Sequence, residues 1–139
     1  MFLVDTNVIS ELRKARSSVN MHVFAWADGQ PPELMHTSAM CLYELERGVL
    51  QRERTDPAQG ASLRRWLDTQ VAPAFAGRVL AVDADVAERA AQLQVPDPAP
   101  VVDALIAATA AAHGLAVVTR NVRDFERLGV AVVDPWRPM

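Results

Sequence analysis

The chain has 139 residues and a formal net charge of −3, and 50% of its residues are hydrophobic, so we expect one globular domain over residues 1–139. No apolar run approaches the roughly 20 residues that span a bilayer, and Asp5 and Glu11 interrupt any leader-like segment, so we expect no membrane association and a cytoplasmic location. The single cysteine, Cys41, excludes an intramolecular disulfide and fits a reducing compartment.

Segments typical of strands alternate with segments typical of helices along the whole chain. In order, they are a strand over residues 2–4, helices over 8–16 and 19–27, a strand over 34–37, helices over 38–54 and 57–71, a strand over 78–82, helices over 84–94 and 102–113, a strand over 116–119, a short helix within 120–128 and a strand over 130–133. The connections between strands are too long for hairpins, which indicates parallel pairing. The sequence therefore predicts a three-layer α/β/α domain with a central parallel sheet.

Capping residues mark the ends of several predicted helices. Ser17 or Ser18 could cap the second helix, and Asp56 and Asp83 stand directly before two later ones. Gly114 follows the longest apolar helix and is its expected C-cap, because glycine adopts the left-handed conformation at low cost. These signals support the helical boundaries but carry no functional information.

Asp5 stands at the carboxyl end of the first predicted strand, where ligands bind in open α/β sheets. From the local sequence alone, Asp5 or Thr6 could equally serve as the cap of the helix that follows. The choice between a cap and a site residue depends on whether other carboxylates reach the same edge of the sheet.

Glu44 is the first of three further acids predicted to reach that edge. It borders the apolar arc of its helix, beside the small residues Cys41 and Gly48, where another backbone could approach. Glu46 lies about 160° around the same helix, so the two glutamates cannot serve one site. Glu46 is expected to pair with solvent or with an arginine.

Asp103 and Asp124 complete the predicted set. Asp103 lies on a face of its helix whose following residues are apolar and mostly small, so it is expected to point toward the core. The alternative is structural, because the helix dipole also favours an acid near a helix N-terminus. Asp124 follows a buried strand and so shares a sheet edge with Asp5, and a salt bridge to Arg120 or Arg127 is the alternative.

Four carboxylates at one edge would repel one another and raise their pKa values unless a cation is present. Oxygen ligands of this kind select Mg²⁺ or Mn²⁺, which can activate water and stabilise charge on a phosphodiester. The net charge argues against nucleic acid, but setting four of the 17 acids aside as ligands leaves 13 against 14 bases. Of these bases, Arg13, Arg47 and Arg120 are possible backbone contacts, with a solvated face as the alternative.

Four segments carry a resemblance to a known family. They are residues 3–12 (LVDTNVISEL), 43–48 (YELERG), 103–108 (DALIAA) and 119–125 (TRNVRDF). In this order and spacing they resemble the signature blocks of PIN-domain proteins, in particular the VapC/FitB-like toxins of bacterial type II toxin–antitoxin pairs. The segments extend over nearly the whole chain.

The resemblance implies an endoribonuclease that depends on Mg²⁺ or Mn²⁺. The acids that match the family's metal-binding residues are Asp5, Glu44, Asp103 and Asp124, and the polar residues that match its supporting positions are Thr6, Asn7, Thr119 and Asn121. In our hypothesis Asp5 and Asp103 carry the principal metal, and the other two acids complete or orient its shell. The resemblance also implies a homodimer that is silenced by a cognate antitoxin and reaches DNA only through that antitoxin.

Two other functions compete with this hypothesis. A phosphatase-like hydrolase with Asp5 as covalent nucleophile would want an acid two residues further on, where Asn7 stands. A noncatalytic PIN-like module that binds a partner protein is the stronger alternative, although all four acids are retained. The chain departs from the family pattern at residues 95–100 (VPDPAP), which leaves substrate contacts from this loop open, and Asp97 is expected to be solvated.

Overall fold

The computed structural model describes residues 1–138, which form a five-stranded parallel sheet with helices packed against it. The strands are β1 (Phe2–Val4), β2 (Met35–Ser38), β3 (Val79–Leu80), β4 (Ala116–Val118) and β5 (Val132–Val133). Their spatial order is β3-β2-β1-β4-β5, and every neighbouring pair is parallel. Each connection between consecutive strands contains at least one helix, as parallel pairing requires.

The helices account for most of the remaining chain. They are α1 (Thr6–Leu12), α2 (Met21–Asp28), α3 (Ala39–Thr55), α4 (Pro57–Trp66), α5 (Ala72–Ala74), α6 (Ala84–Leu93), α7 (Val101–His113) and α8 (Val122–Arg127). As expected, Asp56 and Asp83 cap α4 and α6, and Gly114 ends α7 with a φ of 65°. None of the helices within residues 1–138 is long and apolar enough to cross a membrane.

Successive residues of the central strands pack against different faces of the sheet. Val4 and Val118 belong to one buried cluster, which also takes residues from α1, α2 and α3. Leu3 and Val117 belong to a second cluster, which is built mainly from α7 and α8. This alternation is the period of two that a strand with both faces covered requires. The predicted three-layer α/β/α architecture is confirmed.

The cap of α2 was predicted wrongly. The helix begins at Met21, and its cap is Asn20, whose Oδ1 accepts two backbone N–H bonds, the nearer from His22 at 2.9 Å. Ser17 and Ser18 lie in the preceding turn instead. The reason is position, because Asn20 stands directly before the first helical turn, where a side-chain carbonyl reaches its free N–H groups.

The two edge strands are shorter than the sequence predicted. β3 covers two residues of the predicted strand over 78–82, and β5 covers two residues of the predicted strand over 130–133. Both strands have a neighbour on one side only, so fewer hydrogen bonds define their ends. The sequence pattern marks apolar residues and does not distinguish an edge strand from a central one.

Two helices also extend differently from the prediction. The first begins at Thr6, because Asp5 caps it, and it ends at Leu12 rather than at residue 16. After α4, a π-helical turn over Leu67–Val71 leads directly into α5, so the helical path continues to Ala74 and past residue 71, where the predicted helix ends. None of these differences moves the four candidate acids, which follow β1, β2, β3 and β4 in the chain: Asp5 directly after β1, and Glu44, Asp103 and Asp124 in α3, α7 and α8.

Candidate active site

Asp5 is the most heavily hydrogen-bonded of the four acids. Its side chain is buried, with 5% of the residue exposed. Oδ1 accepts a hydrogen bond from the Thr6 backbone N–H at 2.8 Å, and Oδ2 accepts one from the Thr119 hydroxyl at 2.7 Å. The first bond caps α1, so Asp5 is a helix cap as well as a residue of the acidic edge. The two roles that the sequence posed as alternatives are therefore compatible.

Thr119 fixes the orientation of the Asp5 carboxylate. Its hydroxyl donates to Asp5 and accepts bonds from the Asn7 side-chain amide at 3.3 Å and from the Asn121 backbone N–H at 3.0 Å. A hydroxyl has one donor and two acceptor positions, so Thr119 uses all three. Asn7 also reaches Asp5 Oδ2 at 3.4 Å and accepts the Arg120 backbone N–H at 3.2 Å. Asn121 contributes its backbone to this network rather than its amide side chain.

Glu44 approaches the same edge from α3. Its Oε1 accepts a hydrogen bond from the Thr6 hydroxyl at 2.8 Å, so Thr6 links the cap of α1 to this second acid. Glu46 points elsewhere, as expected, and forms an ion pair with Arg64 at 2.8 Å. The helical geometry thus separates the two glutamates: Glu44 reaches the acidic edge, and Glu46 forms a surface ion pair.

Asp103 and Asp124 lie in the first turns of α7 and α8. Asp103 is half-buried and Asp124 is exposed. Within residues 1–138 no basic side chain comes within 4.0 Å of either carboxylate, so the predicted alternative of a salt bridge from Asp124 to Arg120 or Arg127 is not observed. Both acids remain available for another ligand.

Mutual repulsion connects the four acids electrostatically. Burial raises the pKa of Asp5, the hydrogen bonds from Thr119 and Thr6 oppose that rise, and the charges of Glu44 and Asp103 add to it. Burial also raises the pKa of Asp103, and the charges of Asp124 and Glu44 raise it further. A cation among these groups would relieve the repulsion and favour their ionised forms.

The donor chemistry at this edge fits a hard divalent cation. Four carboxylates supply oxygen ligands, and the buried Cys41 thiol, 3.9 Å from Asp5 Oδ1, is unsuited to ligation because burial and the Asp5 charge raise its pKa to about 11. Across residues 1–138, no three His, Cys, Asp or Glu side chains form a group that could hold a metal ion as they stand. Mg²⁺ often takes only one or two protein carboxylates and keeps several waters, so a closed cage of three is not required.

Two open cavities meet at Asp124. One, of about 520 Å³, lies between Asp103, Asp124 and the loop over residues 95–100, in which Asp97 is exposed as expected. The other, of about 510 Å³, is lined by Asp124 together with Arg120, by further charged residues of α8 and by Asp134 and Arg137 of the C-terminal segment. Asp124 therefore borders both cavities.

The C-terminal segment after β5 was missed by the sequence analysis. The Arg120 guanidinium carbon lies 5.1 Å from the centroid of the Trp136 ring, so a residue of this segment contacts the turn that follows β4. A signal was available, because in a parallel sheet the residues after the last strand emerge at the same edge as those after the first. Trp136 therefore belongs to the surroundings of the acidic edge.

The comparisons with known proteins agree with this architecture. The PIN domain family model matches residues 2–131. VapC ribonuclease Y4jK of Sinorhizobium fredii is 40% identical to this chain over 148 aligned residues, which cover 99% of each protein. The crystal structure of FitAcB from Neisseria gonorrhoeae is similar over 99% of this chain and 100% of that one, with a TM-score of 0.90 and 36% identity.

A toxin–antitoxin complex from Klebsiella pneumoniae is also similar, with a TM-score of 0.68 and 26% identity over 97% of this chain and 98% of that one. The sequence blocks that carried the resemblance are thus accompanied by a match of the family model over most of the chain and by full-length relatives. The chain therefore belongs to the PIN-domain family.

Proposed function

We propose that this chain is a metal-dependent endoribonuclease that acts as a toxin and is neutralised by a cognate antitoxin. The observation that carries the proposal is the placement of four acids at one edge of the sheet, with Asp5 and Glu44 held by Thr6 and Thr119 and with Asp103 and Asp124 in the first turns of α7 and α8. A full-length relative that is named a VapC ribonuclease supports RNA hydrolysis as the reaction. The similar toxin–antitoxin complex supports the biological role.

In this proposal Asp5 and Asp103 hold Mg²⁺ or Mn²⁺, with Glu44 and Asp124 completing or orienting the shell. When bound, the ion would supply Lewis acidity at the scissile phosphate and lower the pKa of an attacking water. The protein's own contribution is positional. Thr119 and the Thr6 backbone N–H fix both oxygens of Asp5, and the Thr6 hydroxyl fixes Glu44.

The supporting residues differ in what they offer. Thr6, Asn7 and Thr119 hold acidic side chains directly, whereas Asn121 acts through its backbone N–H on Thr119. Asp124 stands between two open cavities, where an RNA strand could reach it from solvent. The fixed part of the proposed site is therefore interior, and the part that meets substrate is exposed.

We expect the antitoxin and a second copy of the chain to cover exposed apolar surfaces of the helices. Leu42, Tyr43 and Leu50 of α3 are large hydrophobic residues with 40%, 51% and 54% of their surface exposed. Apolar surface of this kind is a feature of interaction sites rather than of isolated monomers. DNA binding by the complex would come from the antitoxin.

A matched pair of substitutions on one helix tests the proposal. Glu44→Gln keeps an oxygen that can accept from Thr6 but removes the charge, so Mg²⁺-dependent cleavage of total bacterial RNA should fall by about 10- to 100-fold. Glu46→Gln removes an equal charge two residues away and should leave cleavage unchanged. Equal rates in the two variants would contradict the assignment of the site.

Metal titration separates the proposal from a noncatalytic partner-binding module. By isothermal calorimetry the wild-type chain should bind Mn²⁺, and Glu44→Gln should bind it more weakly, whereas Glu46→Gln should match the wild type. A partner-binding module needs no metal, so absence of Mn²⁺ binding together with absence of RNA cleavage would favour that alternative.

A further inference from the structure

We infer that Arg120 binds an RNA backbone phosphate beside the acidic site and that Trp136 positions it for this task. The inference rests on the proposed function, because it names how that site receives its substrate. Four observations carry it: the course of the chain after β5, the anchoring of both residues, the absence within residues 1–138 of a carboxylate within 4.0 Å of Arg120, and the charges of the cavity of about 510 Å³ that Arg120 lines, hereafter the groove.

The parallel sheet brings the two residues together. Thr119 donates its backbone N–H to the Val133 carbonyl at 3.0 Å, so the chain after β4 and the chain after β5 leave the sheet side by side. The C-terminal segment then turns, since the Trp136 backbone N–H bonds to Asp134 Oδ1 at 3.0 Å. Trp136 is partly buried against the core cluster that contains Val118. Its ring is therefore anchored.

Arg120 is anchored at its backbone, and its charged end is exposed, although its charge is near enough to Glu11 to help lower the pKa of that carboxyl. Its N–H donates to Asn7 Oδ1, and Asn7 in turn contacts Asp5 and Thr119, so the backbone of Arg120 is tied to the acidic site. The side chain is exposed, with its guanidinium over the Trp136 ring. Within residues 1–138 no carboxylate lies within 4.0 Å of it.

Stacking on an aromatic ring suits an arginine that binds a phosphate. A planar guanidinium that lies over a ring keeps its N–H donors at the edge, where a phosphate can accept two of them at once. The ring also restricts the Arg120 side chain to fewer rotamers before RNA binds. Less conformational entropy is therefore lost when the contact forms. Arg120 stacks on an aromatic ring and has no carboxylate of residues 1–138 within 4.0 Å, so its guanidinium can bind an external anion.

The charges that line the two cavities favour a phosphate in the groove, which Arg120 lines, over the other cavity. Three arginines line the groove, namely Arg120, Arg123 and Arg137, against the acids Asp124, Glu126 and Asp134. If Asp103 and Asp124 are set aside in both cavities as ligands of a bound cation, the groove keeps three arginines against Glu126 and Asp134. The other cavity keeps one arginine, Arg127, against one acid, Asp97. The backbone of the substrate therefore enters along the groove of Arg120.

Binding and cleavage are measured separately to test this. The probe is a fluorescein-labelled single-stranded RNA of mixed sequence, titrated in EDTA at several salt concentrations and read by anisotropy. Arg120→Ala should raise Kd about 10-fold and make the slope of log Kd against log salt shallower by about 0.7, as expected for one lost phosphate contact. In Mg²⁺-dependent cleavage it should raise KM and leave kcat nearly unchanged, because the contact is present before the reaction.

Conservative variants separate the effect of the Arg120 charge from the effect of its positioning by Trp136. Arg120→Lys should keep the salt slope but lose part of the affinity, because an ammonium group has no planar fork to stack. Trp136→Phe should retain most of the affinity, and Trp136→Ala should lose it. In the Arg120→Ala background Trp136→Ala should cause no further loss, since Trp136 acts through Arg120. Arg65→Ala, which removes an exposed arginine of α4, is the matched control and should leave binding and cleavage unchanged.

Each outcome decides one claim. Unchanged Kd and KM in Arg120→Ala, with wild-type cleavage intact, would overturn the inference while leaving the proposed function in place. Equal losses from Trp136→Ala with and without Arg120 would show that Trp136 only stabilises the fold, which a lower Tm in Trp136→Ala and a normal Tm in Trp136→Phe would identify. Failure of the wild type to cleave RNA, or full cleavage by Glu44→Gln, would overturn the proposed function instead.

Discussion

Asp5 and Asp103 belong to one electrostatic network, yet the protein holds them in different ways. Asp5 is buried, and both of its oxygens accept hydrogen bonds from fixed donors, Thr6 and Thr119. Asp103 is half-buried, and no hydrogen bond from residues 1–138 reaches its carboxylate. The protein alone thus stabilises the carboxylate of Asp5 by hydrogen bonds, whereas the carboxylate of Asp103 is repelled by Asp124 and Glu44.

This difference separates a fixed part of the site from a part that depends on a cation. Buried carboxylates with two good donors keep their position whether or not an ion is present. A half-buried carboxylate beside like charges is destabilised in its ionised form until a cation binds near it. The two acids should therefore respond differently when their charge is removed, because only Asp5 also loses a hydrogen bond, and substitution can measure this difference.

The largest effect is expected from Asp5→Asn. The amide cannot accept at both positions, so either the cap of α1 or the bond from Thr119 is lost, at a cost of about 1 kcal/mol. This cost opposes the stability gained by removing a buried charge, so metal-free Asp5→Asn should be less stable than metal-free Asp103→Asn. Metal-dependent RNA cleavage should be abolished, because the fixed ligand has lost its charge. Urea unfolding and a cleavage assay check the two outcomes, and a variant that is both stable and active would contradict the role of Asp5.

Asp103→Asn should also lose cleavage but gain stability without metal. Replacement removes a charge whose pKa is raised by burial and by its neighbours, and it sacrifices no hydrogen bond from residues 1–138. The metal-free variant should therefore have a higher Tm than the wild type at neutral pH. Added Mn²⁺ should raise the Tm of the wild type and not that of the variant. A Tm of metal-free Asp103→Asn below that of the metal-free wild type would contradict the proposed difference between Asp103 and Asp5.

Glu11 offers an internal standard for the pH behaviour of a carboxylate outside the site. It accepts the Asn20 backbone N–H at 2.9 Å and pairs with Lys14 at 2.9 Å, and these contacts lower its pKa from 4.5. A carboxylate with a lowered pKa contributes stability above its unfolded pKa, and that contribution is lost as pH falls through the folded value.

Glu11→Gln should therefore lower the free energy of unfolding by about 1 kcal/mol at neutral pH, through the weakened contacts to Asn20 and Lys14. The difference from the wild type should shrink as pH falls below 4.5. Asp5 and Asp103 have raised pKa values, so in the metal-free protein their contribution has the opposite sign: stability is present below 3.8 and is lost as pH rises through the folded values. Urea unfolding across pH measures both trends, and a constant difference for Glu11→Gln would contradict the role of its charge.

The acidic edge could be predicted because its residues are marked by local patterns. Asp5 and Asp124 each follow an apolar strand, and helical periodicity alone separates Glu44 from Glu46, which pairs with Arg64 in the structure. These patterns have fixed geometrical meaning, since strands end at a defined edge and helices repeat every 3.6 residues. The fold class follows from the same alternation.

The contact between Arg120 and Trp136 could not be predicted in this way. The two residues stand on different surface turns, and their contact depends on the turn at Asp134 and on rotamers that periodicity does not encode. The dual role of Asp5 was hidden for a related reason, because a cap and a site residue have the same local sequence. Sequence patterns placed the strand ends, whereas the directions of exposed side chains required the structure.

The smallest effect is expected at Cys41, which lies against the fixed part of the site. Its thiol is fully buried, 3.9 Å from Asp5 Oδ1, and burial together with the Asp5 charge raises its pKa to about 11. At pH 8 roughly one molecule in a thousand would carry the thiolate, which is the reactive form. Cys41 should therefore resist Ellman's reagent in the native protein and react at once in denaturant. Rapid modification of the folded chain would mean that the interior around Asp5 opens readily, and the distinction between a fixed Asp5 and an adjustable Asp103 would then fail.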